Sequence, residues 1–369
     1  MIDSELWGAP ECPPGVRHLR DRVAGFVADQ VVPHEAELDA GGPQARALFH
    51  RLRQRALAEG LWGLPLPRSL GGTGLALADY AHVAEAEGAS DHGPAVLGST
   101  ALLDVNVLDA DQVRGRTTLC NAMTEPDTPG SDPALVATRA HLAPDGSWTL
   151  HGRKWFVSGA DRADLALVLA RAPAGPSAYL VPTSAPGFRL VRELHVLGAG
   201  GQWEIALEAA PGRLVGEEGK GLRVVGERVR LGRLLRCLRW LGQARRAFQL
   251  MRRRARERTL STGRLADHQL VQRLVFDALL AVRTTRPLVF QAADLLAAGR
   301  DARVETALAK VSAARMLQQV SDAAVQVYGA AGLGPDTPLP ALFRSGRTAR
   351  LLDGPDELHI TTVARRVLT

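Results

Sequence analysis

Lysine is almost missing from this chain of 369 residues, which contains only Lys154, Lys220 and Lys310. Arginine therefore carries nearly all of the positive charge behind the net charge of +6 and the sequence pI of about 9.8. The arginines are spread along helical segments that are also rich in alanine and leucine, and no groove-reading or base-stacking motif accompanies them. We interpret the basic composition as a genomic bias and expect no nucleic-acid partner.

Cysteine and long apolar runs are scarce as well. Cys12, Cys120 and Cys237 stand far apart, are odd in number and lack metal-ligand spacing, which argues against a disulfide framework or a zinc site. The opening "MIDSELWG" has no basic segment followed by an apolar run, and no stretch reaches the ~20 apolar residues that a membrane span needs. We therefore expect a cytoplasmic protein with no bound metal and no membrane partner.

The apolar pattern changes twice along the chain. From Pro13 to about Gly88 the apolar residues recur at helical spacing, as in "VRHLRDRVAGFVADQVV". From about Leu119 to Gly216, short and partly alternating runs such as "SAYLVPTS" are broken by Asp-Gly, Pro and Gly, which is typical of strands and hairpins. Long helical segments, about four of them, return from Leu222 to the end. This pattern predicts an α+β fold with an α-helical domain over 1–118, a β domain over 119–217 and an α-helical bundle over 218–369.

Two segments carry candidate chemistry on their own residues. "GAAGLG", Gly329 to Gly334, has the glycines of a phosphate loop, but it ends a long helix, whereas a dinucleotide fingerprint follows a strand and opens a helix. It is either a backbone that approaches a pyrophosphate closely or a simple C-cap turn. "LLDGPDELH" places Asp353 at the edge of an apolar segment, where partial desolvation would make it a stronger base once ionised. The alternative is that Asp353 only starts a turn or caps the following helix.

Other catalytic arrangements find no support. The histidines are scattered singly, so neither a metal site nor a catalytic triad is indicated. The candidate serines Ser131 and Ser158 do not sit between glycines at a strand-to-helix turn, which is the context of a hydrolase nucleophile.

Three motifs in one order resemble the acyl-CoA dehydrogenase family over about residues 15 to 369. They are "MTEPDTPGSD", the hairpin "DGSWTLHGRKWFVSGADRADLALVLAR", and "AVQVYGAAGLG" followed by "LFRSGRTARLLDGPDELH". "MTEPD", "KW", "SGA" and "DGPDE" most resemble the branch of human acyl-CoA dehydrogenase family members 10 and 11. The resemblance implies flavoproteins with an N-terminal α-helical domain, a middle β-barrel-like domain and a C-terminal four-helix bundle.

By this resemblance the cofactor is FAD. Met123, Thr124 and Ser131 would border the flavin and the acyl thioester, and Phe156 and Ser158 would lie on its other side. A turn stiffened by proline supplies fixed donors for the edge of the flavin that gains negative charge on reduction. An alternative for Ser131 is a hydroxyl that serves only its own loop.

The resemblance also implies a site shared between subunits of a homodimer or homotetramer. Gln326, Gly329 and Gly332 would approach the FAD pyrophosphate of a neighbour, with Arg258 and Ser261 completing the anion site. Arg258 falls one residue out of register with the family, so a solvated basic helix end is the alternative.

The reaction implied is α,β-dehydrogenation of an acyl thioester. Asp353, where mainstream members have a longer Glu, would remove the α-proton while the β-hydrogen leaves as a hydride, and electrons would pass to an electron-transferring flavoprotein or to oxygen.

The chain is shorter than the family between Ala101 and Leu119 and at "LEAAPGRLVGEEGKG", which suggests a bulkier acyl group, on CoA or an acyl carrier protein, in a biosynthetic pathway. Two alternatives remain: a flavin oxidase or monooxygenase on the same scaffold, and a catalytically degenerate partner subunit.

Overall fold

The structure is a computed structural model that describes residues 7–8, 11–114 and 116–369. Helices form its N-terminal part, where apolar residues at helical spacing turn towards a shared core. A π-helical turn, Val27–Val31, continues the first helix, and short 3₁₀ turns connect later ones. The helices are α1 (Pro14–Phe26), α2 (Glu35–Ala40), α3 (Gly42–Ala58), α4 (Leu77–Glu87), α5 (Gly93–Val96) and α6 (Ala110–Arg114).

The middle of the chain is a seven-stranded sheet that closes on itself. The strands are β1 (Leu119–Ala122), β2 (Arg139–Leu142), β3 (Trp148–Ser158), β4 (Leu165–Ala172), β5 (Gly175–Pro182), β6 (Phe188–Val196) and β7 (Ala199–Val215). The pairings β4-β2-β3-β7-β5 return to β4, while β1 joins β4 and β6 joins β7. The pairing between β2 and β4 is short, since these strands meet only where Arg139 pairs with Arg171. The middle domain is therefore barrel-like.

The C-terminal part is a helical bundle built on three long helices. They are α7 (Gly221–Glu257), α8 (Gln269–Ala297) and α9 (Arg303–Tyr328), followed by α10 (Leu339–Ala349) and α11 (Asp356–Leu368). Two short strands, β8 (Thr259–Leu260) and β9 (Gly263–Arg264), form a hairpin between α7 and α8. Helix α9 contacts α7, α8 and α10, which make the predicted four-helix bundle, and α11 packs on α9 as a further helix.

Helix α4 joins the N-terminal helices to the bundle through a very close contact with α7. A Cβ atom on Gly88 would lie 2.3 Å from the Arg239 Cα atom, and one on Gly242 would lie 2.1 Å from the Glu85 carbonyl oxygen. Only glycine permits these backbones to approach so closely. Within the described ranges, no helix is long and apolar enough to cross a membrane.

A buried carboxyl lies beside this contact. Glu87 is fully buried, and its Oε2 atom accepts hydrogen bonds from the Tyr80 hydroxyl at 2.8 Å and the Ser99 hydroxyl at 2.6 Å. Its Oε1 atom has no hydrogen-bond partner within the described part of the chain. Burial outweighs the two hydrogen bonds and the Arg239 charge and raises the pKa of Glu87 to about 7.

We expect Glu87→Gln to stabilise the protein at pH 8 but not at pH 5. The pKa of Glu87 in the folded state lies above the ordinary value of 4.5, so its burial becomes unfavourable as pH rises from 4.5 through 7. Removing the charge should add up to about 3 kcal/mol to the free energy of unfolding at pH 8. Urea unfolding at both pH values measures this, with the exposed Glu217→Gln as the control. Equal gains at pH 5 and pH 8 would contradict it.

Candidate active site

The turn that follows β1 is fastened to β3. The Thr124 hydroxyl donates to the Trp155 carbonyl oxygen at 2.7 Å, and the Trp155 N–H donates to the Thr124 carbonyl oxygen at 3.0 Å. A Cβ atom on Gly130 would lie 2.9 Å from the Thr124 Cγ2 atom, so the loop that carries Ser131 packs against Thr124. The structure thus brings Met123, Thr124 and the Ser131 loop to one edge of the barrel.

A buried ion pair holds this turn in place. The Lys154 Nζ atom lies 2.8 Å from the Glu125 Oε1 atom and donates to the Met123 carbonyl oxygen at 3.1 Å. Glu125 also accepts hydrogen bonds from the backbone N–H groups of Ala137 and Thr138. Burial opposes the Glu125 charge, but Lys154 and these donors outweigh it and lower the pKa of Glu125 to about 2. Burial lowers the pKa of Lys154 to about 8 despite the attraction of Glu125.

Phe156 and Ser158 lie just beyond this anchor on β3. A register shift between Lys154 and Val157 marks a bulge, and Phe156 within it has a φ of +50°. The Phe156 side chain is 46% exposed, with its ring centroid 4.9 Å from that of Trp155. The Ser158 hydroxyl hydrogen-bonds the Gln202 side chain. The bulge therefore directs an aromatic ring outwards, close to the turn that carries Thr124.

Ser131 is exposed, and no hydrogen bond of its hydroxyl occurs with any residue that the structure describes. The interpretation in which this hydroxyl only stabilises its own loop therefore has no contact to support it. The role of Ser131 beside a flavin stays a prediction.

Asp353 lies in the loop between α10 and α11. Its φ is +54° and that of Gly354 is +98°, so two consecutive residues are left-handed. The Arg233 Nε–H donates to the Asp353 carbonyl oxygen at 2.8 Å, and the His359 Nε2 atom lies 3.3 Å from the same oxygen. The Arg236 Nε atom lies 2.5 Å from the Asp353 Oδ2 atom. Helix α11 begins at Asp356 after Pro355, with no side-chain cap, so Asp353 does not cap it.

The other acids of this segment are not comparable. Asp356 is buried, and its carboxylate pairs with Lys310 at 3.4 Å, Arg315 at 3.3 Å and Arg350 at 2.9 Å. Glu357 is exposed on α11. Asp356 therefore fixes the loop through its ion pairs, and Asp353 is the acid of this loop whose carboxylate contacts α7.

His359 contributes to the same anchor as a neutral ring. Burial, with help from the Arg233 and Lys310 charges, lowers the pKa of His359 to about 4. At neutral pH its Nε2–H can donate to the Asp353 carbonyl oxygen without bringing another charge into the loop.

A second group of candidate residues lies at the far end of the bundle. Arg258 ends α7 and Ser261 lies in the short hairpin beyond it, while Gln326 and Gly329 lie where α9 ends. The Arg254 guanidinium lies over the Tyr328 ring at 5.4 Å and joins the two helix ends. A cleft of about 300 Å³ opens here, with Arg253, Arg254, Glu257, Tyr328, Asp336 and Thr337 among its lining residues.

The two glycines at this end differ. Gly329 has a φ of +63° and open space where a Cβ atom would point, so its backbone is accessible. Gly332 is buried, and a Cβ atom there would lie 2.9 Å from the Tyr328 Cβ atom. Gly332 is thus required by the turn itself, and only Gly329 presents backbone to the outside.

The two groups are too far apart to meet within one chain. Arg236, which contacts Asp353, and Glu257, next to Arg258, lie on the same helix, and that span is about 30 Å at the helical rise of ~1.5 Å per residue. If both groups contact the same kind of cofactor, they do so on different molecules of it.

Sequence reasoning missed Arg233 and Arg236, the two arginines that contact Asp353. The signal was present as "RLLRCLR", which repeats arginine every three residues on a segment of helical periodicity. The arginines were attributed to composition, so their shared helix face was not considered.

Comparison with known proteins places these features in one family. Sequence profiles of the acyl-CoA dehydrogenase N-terminal, middle and C-terminal domains match residues 14–107, 120–209 and 219–368. The chain is 32% identical over 372 residues to human acyl-CoA dehydrogenase family member 11, covering 92% of this chain and 47% of that protein. It is 32% identical over 389 residues to the probable acyl-CoA dehydrogenase FadE2 of Mycobacterium tuberculosis, covering 95% and 94% of the two chains. The chain spans about half the length of the vertebrate family member 11 proteins that it matches.

Solved structures share the fold. Butyryl-CoA dehydrogenase from Megasphaera elsdenii superposes with a TM-score of 0.87 at 21% identity over 98% of this chain and 100% of that one. An acyl-CoA dehydrogenase from Bacillus anthracis, solved in complex with FAD, superposes with a TM-score of 0.86 at 21% identity over 99% of this chain and 70% of that one. With three domain profiles in order, the predicted barrel and bundle, and a full-length relative at 32% identity, the chain belongs to the acyl-CoA dehydrogenase family of oxidoreductases.

Proposed function

We propose that this chain is an FAD-dependent dehydrogenase that forms a 2-enoyl product from an acyl thioester of CoA or of an acyl carrier protein. The observation that carries the proposal is the placement of Asp353, whose backbone is held against α7 by Arg233 while its carboxylate, 24% exposed, lies beside Arg236. Family membership supplies the reaction class. A biosynthetic, cytoplasmic role with an electron-transferring flavoprotein or oxygen as acceptor is part of the proposal.

The residues present fit a flavin. Phe156 offers a half-exposed aromatic face on a bulge, and the exposed Ser158 hydroxyl lies two residues further on. The neighbouring Met123–Thr124 turn is held by buried contacts, so its backbone donors keep fixed positions. Met123, Thr124, Ser131, Phe156 and Ser158 would hold the isoalloxazine, which when bound accepts the β-hydrogen of the substrate as a hydride.

The protein itself would contribute a positioned base that deprotonates the α-carbon of the substrate. Arg233 and His359 hold the Asp353 backbone, and Arg236 pairs with its carboxylate. An ionised Asp353 oxygen would take the α-proton of the thioester. Because Asp is one methylene shorter than Glu, a fixed backbone matters more here for reaching the α-carbon.

Anaerobic bleaching by acyl thioesters tests this function. The flavin-loaded protein should lose its absorbance near ~450 nm on mixing with a substrate thioester. A panel of acyl-CoA and acyl carrier protein thioesters would identify the carrier. Failure of every thioester to bleach the flavin would reject the proposal, and a protein that cannot bind flavin would favour the degenerate partner subunit.

The proposal includes an oligomer in which Arg258, Ser261, Gln326 and Gly329 approach the FAD of a neighbouring subunit, while the buried Gly332 shapes the turn that presents Gly329. The ~30 Å length of α7 between the two groups supports this arrangement. Large apolar side chains are exposed on the bundle, with Leu270 83%, Phe276 59% and Leu280 48% exposed on α8. Such a surface suits contact with a second copy.

Gly329→Val tests the shared cofactor against a matched control, Gly299→Val. Both glycines end long helices with positive φ, +63° and +67°, and both have open space where the new side chain would point. Each substitution should therefore cost about 1–2 kcal/mol through left-handed backbone strain. Only Gly329→Val should also reduce flavin content and loosen the oligomer, because cofactor and assembly stabilise each other.

Absorbance and size-exclusion chromatography on the same sample provide the measurement. Equal flavin content in the two variants would contradict the role of Gly329. A strictly monomeric protein with stoichiometric FAD would show that the interface residues do not contact a neighbour's cofactor.

A further inference from the structure

We propose that the acyl group of the substrate carries a carboxylate, which pairs with Arg236 and releases the Asp353 carboxylate for its role as base. The inference rests on the proposed function and names the substrate class of that site. It follows from three observations on the face of α7 that contacts the Asp353 loop.

The first observation is that the base is not free. The Arg236 Nε atom lies 2.5 Å from the Asp353 Oδ2 atom, yet that oxygen is buried without a properly directed hydrogen bond. The contact is therefore a close ion pair of poor hydrogen-bond geometry. Asp353 in turn raises the pKa of Arg236, as expected for a guanidinium beside a carboxylate. A carboxylate held in this way must leave the guanidinium before it can accept a proton from a substrate.

The second observation is that Arg236 has donors to spare. A guanidinium has five N–H donors, and no hydrogen bond from a terminal nitrogen of Arg236 occurs with the residues that the structure describes, although the Asp91 charge also acts on this guanidinium. The Arg236 side chain is 40% exposed, so a ligand can reach it. Arg246 on the same helix shows a complete pairing, because its two terminal nitrogens bind the two Glu35 oxygens at 2.7 and 2.8 Å. Arg236 could bind an incoming carboxylate with the same fork geometry.

The third observation is that another arginine follows Arg236 along α7. Arg239 lies three residues beyond Arg236, and its Nε and Nη2 atoms are buried with no hydrogen-bond partner in the described ranges. A hydrocarbon tail beside these groups would desolvate cations without compensating them. An acyl chain with a carboxylate instead gives Arg236 a partner that replaces Asp353, while Arg239 lies within the field of the Glu87 carboxyl.

Binding of product-like ligands provides the direct test. We would titrate the FAD-loaded protein calorimetrically with two trans-2-enoyl-CoA thioesters of equal chain length, one with a terminal carboxylate and one with a terminal methyl group. These compounds bind without reducing the flavin. Wild type should bind the carboxylate form about 10- to 100-fold more tightly, the range for hydrogen bonds between charged groups. The acyl length is varied over four to six carbons.

Variants on α7 identify the responsible group. Arg236→Gln should abolish the preference, Arg236→Lys should retain part of it, and the exposed Arg230→Gln should leave it unchanged as a charge-matched control. The ratio of kcat/KM for the corresponding saturated thioesters should change in parallel. An equal preference in wild type and Arg236→Gln, or tighter binding of the methyl form by wild type, would overturn the inference. In either case, bleaching by the methyl-terminated thioester would leave the proposed dehydrogenase function standing.

Discussion

Asp353→Asn is expected to retain flavin and to lose about 10²-fold or more in the rate of flavin reduction by an acyl thioester, the usual order for loss of a general base. Asn has nearly the shape of Asp, so the Arg233 hydrogen bond to the backbone carbonyl at residue 353 should persist. The amide cannot accept the α-proton. Anaerobic stopped-flow measurement of the absorbance decay gives the rate constant directly.

The neighbouring acids define the control. Glu357→Gln removes an exposed charge from the same segment and should leave the rate within about twofold of wild type. Asp356 is unsuitable, because its carboxylate joins Lys310, Arg315 and Arg350, and its removal would disturb the loop itself. Reduction by Asp353→Asn at a near-normal rate would reject the assignment of the base.

Flavin content distinguishes chemistry from assembly in this experiment. Asp353 contacts α7 at Arg236, which lies far along that helix from Arg258 and the other residues proposed to approach a neighbour's FAD. A loss of rate with unchanged flavin content therefore reports on proton removal. A loss of flavin from Asp353→Asn would instead show that this loop supports the cofactor site.

Periodicity predicted the order of helical, β and helical parts because each part has a continuous apolar pattern. It could not predict the closure of the barrel, since the contact of β2 with β4 involves a single pair, Arg139 with Arg171, brought together by the whole sheet. The sequence predicted about four C-terminal helices, whereas the structure has α7 to α11 there, and the hairpin at Thr259–Arg264 was not predicted. Pairings of this kind depend on distant segments, which local patterns do not describe.

The candidate site shows the same limit at the level of side chains. Asp353 and the Met123–Thr124 turn were found through motifs, and the structure adds what holds them. Arg236 could not be selected from the sequence, because the chain is rich in arginine and only the fold shows which guanidinium meets the loop. Sequence reasoning considered Asp353 as a desolvated base and did not anticipate an ion pair on its carboxylate.

Lysine is the more informative residue in this arginine-rich chain. Two of the three lysines, Lys154 and Lys310, are fully buried in ion pairs, and Lys220 is exposed. A compact ammonium group fits a small buried space that a planar guanidinium would not. Lys154 contacts both the Glu125 carboxylate and the Met123 carbonyl oxygen. It therefore links the buried Glu125 charge to the turn proposed to border the flavin.

Lys154→Met is therefore expected to lower the free energy of unfolding by about 3–5 kcal/mol at pH 7, the usual effect of breaking a buried ion pair by removing one partner. The substitution leaves Glu125 buried and charged, with hydrogen bonds from two backbone N–H groups and the Thr128 hydroxyl but no cation. In wild type the Glu125 pKa of about 2 lies below the ordinary 4.5, so this carboxylate stabilises the fold above pH 4.5, and the stabilisation is lost as pH falls through 2. The deficit of the variant should therefore decrease below pH 4.5. Urea unfolding from pH 7 to pH 2 measures it.

The third lysine and the partner carboxyl complete the experiment. Lys220→Met removes an exposed ammonium group and should change the free energy of unfolding by no more than about 0.5 kcal/mol. Adding Glu125→Gln to Lys154→Met should restore part of the lost stability, because the unpaired buried charge is then removed. Lys154→Met should also release flavin on gel filtration, since the Met123 carbonyl oxygen loses its donor. A variant as stable as Lys220→Met, with full flavin content, would show that the buried pair does not hold the turn.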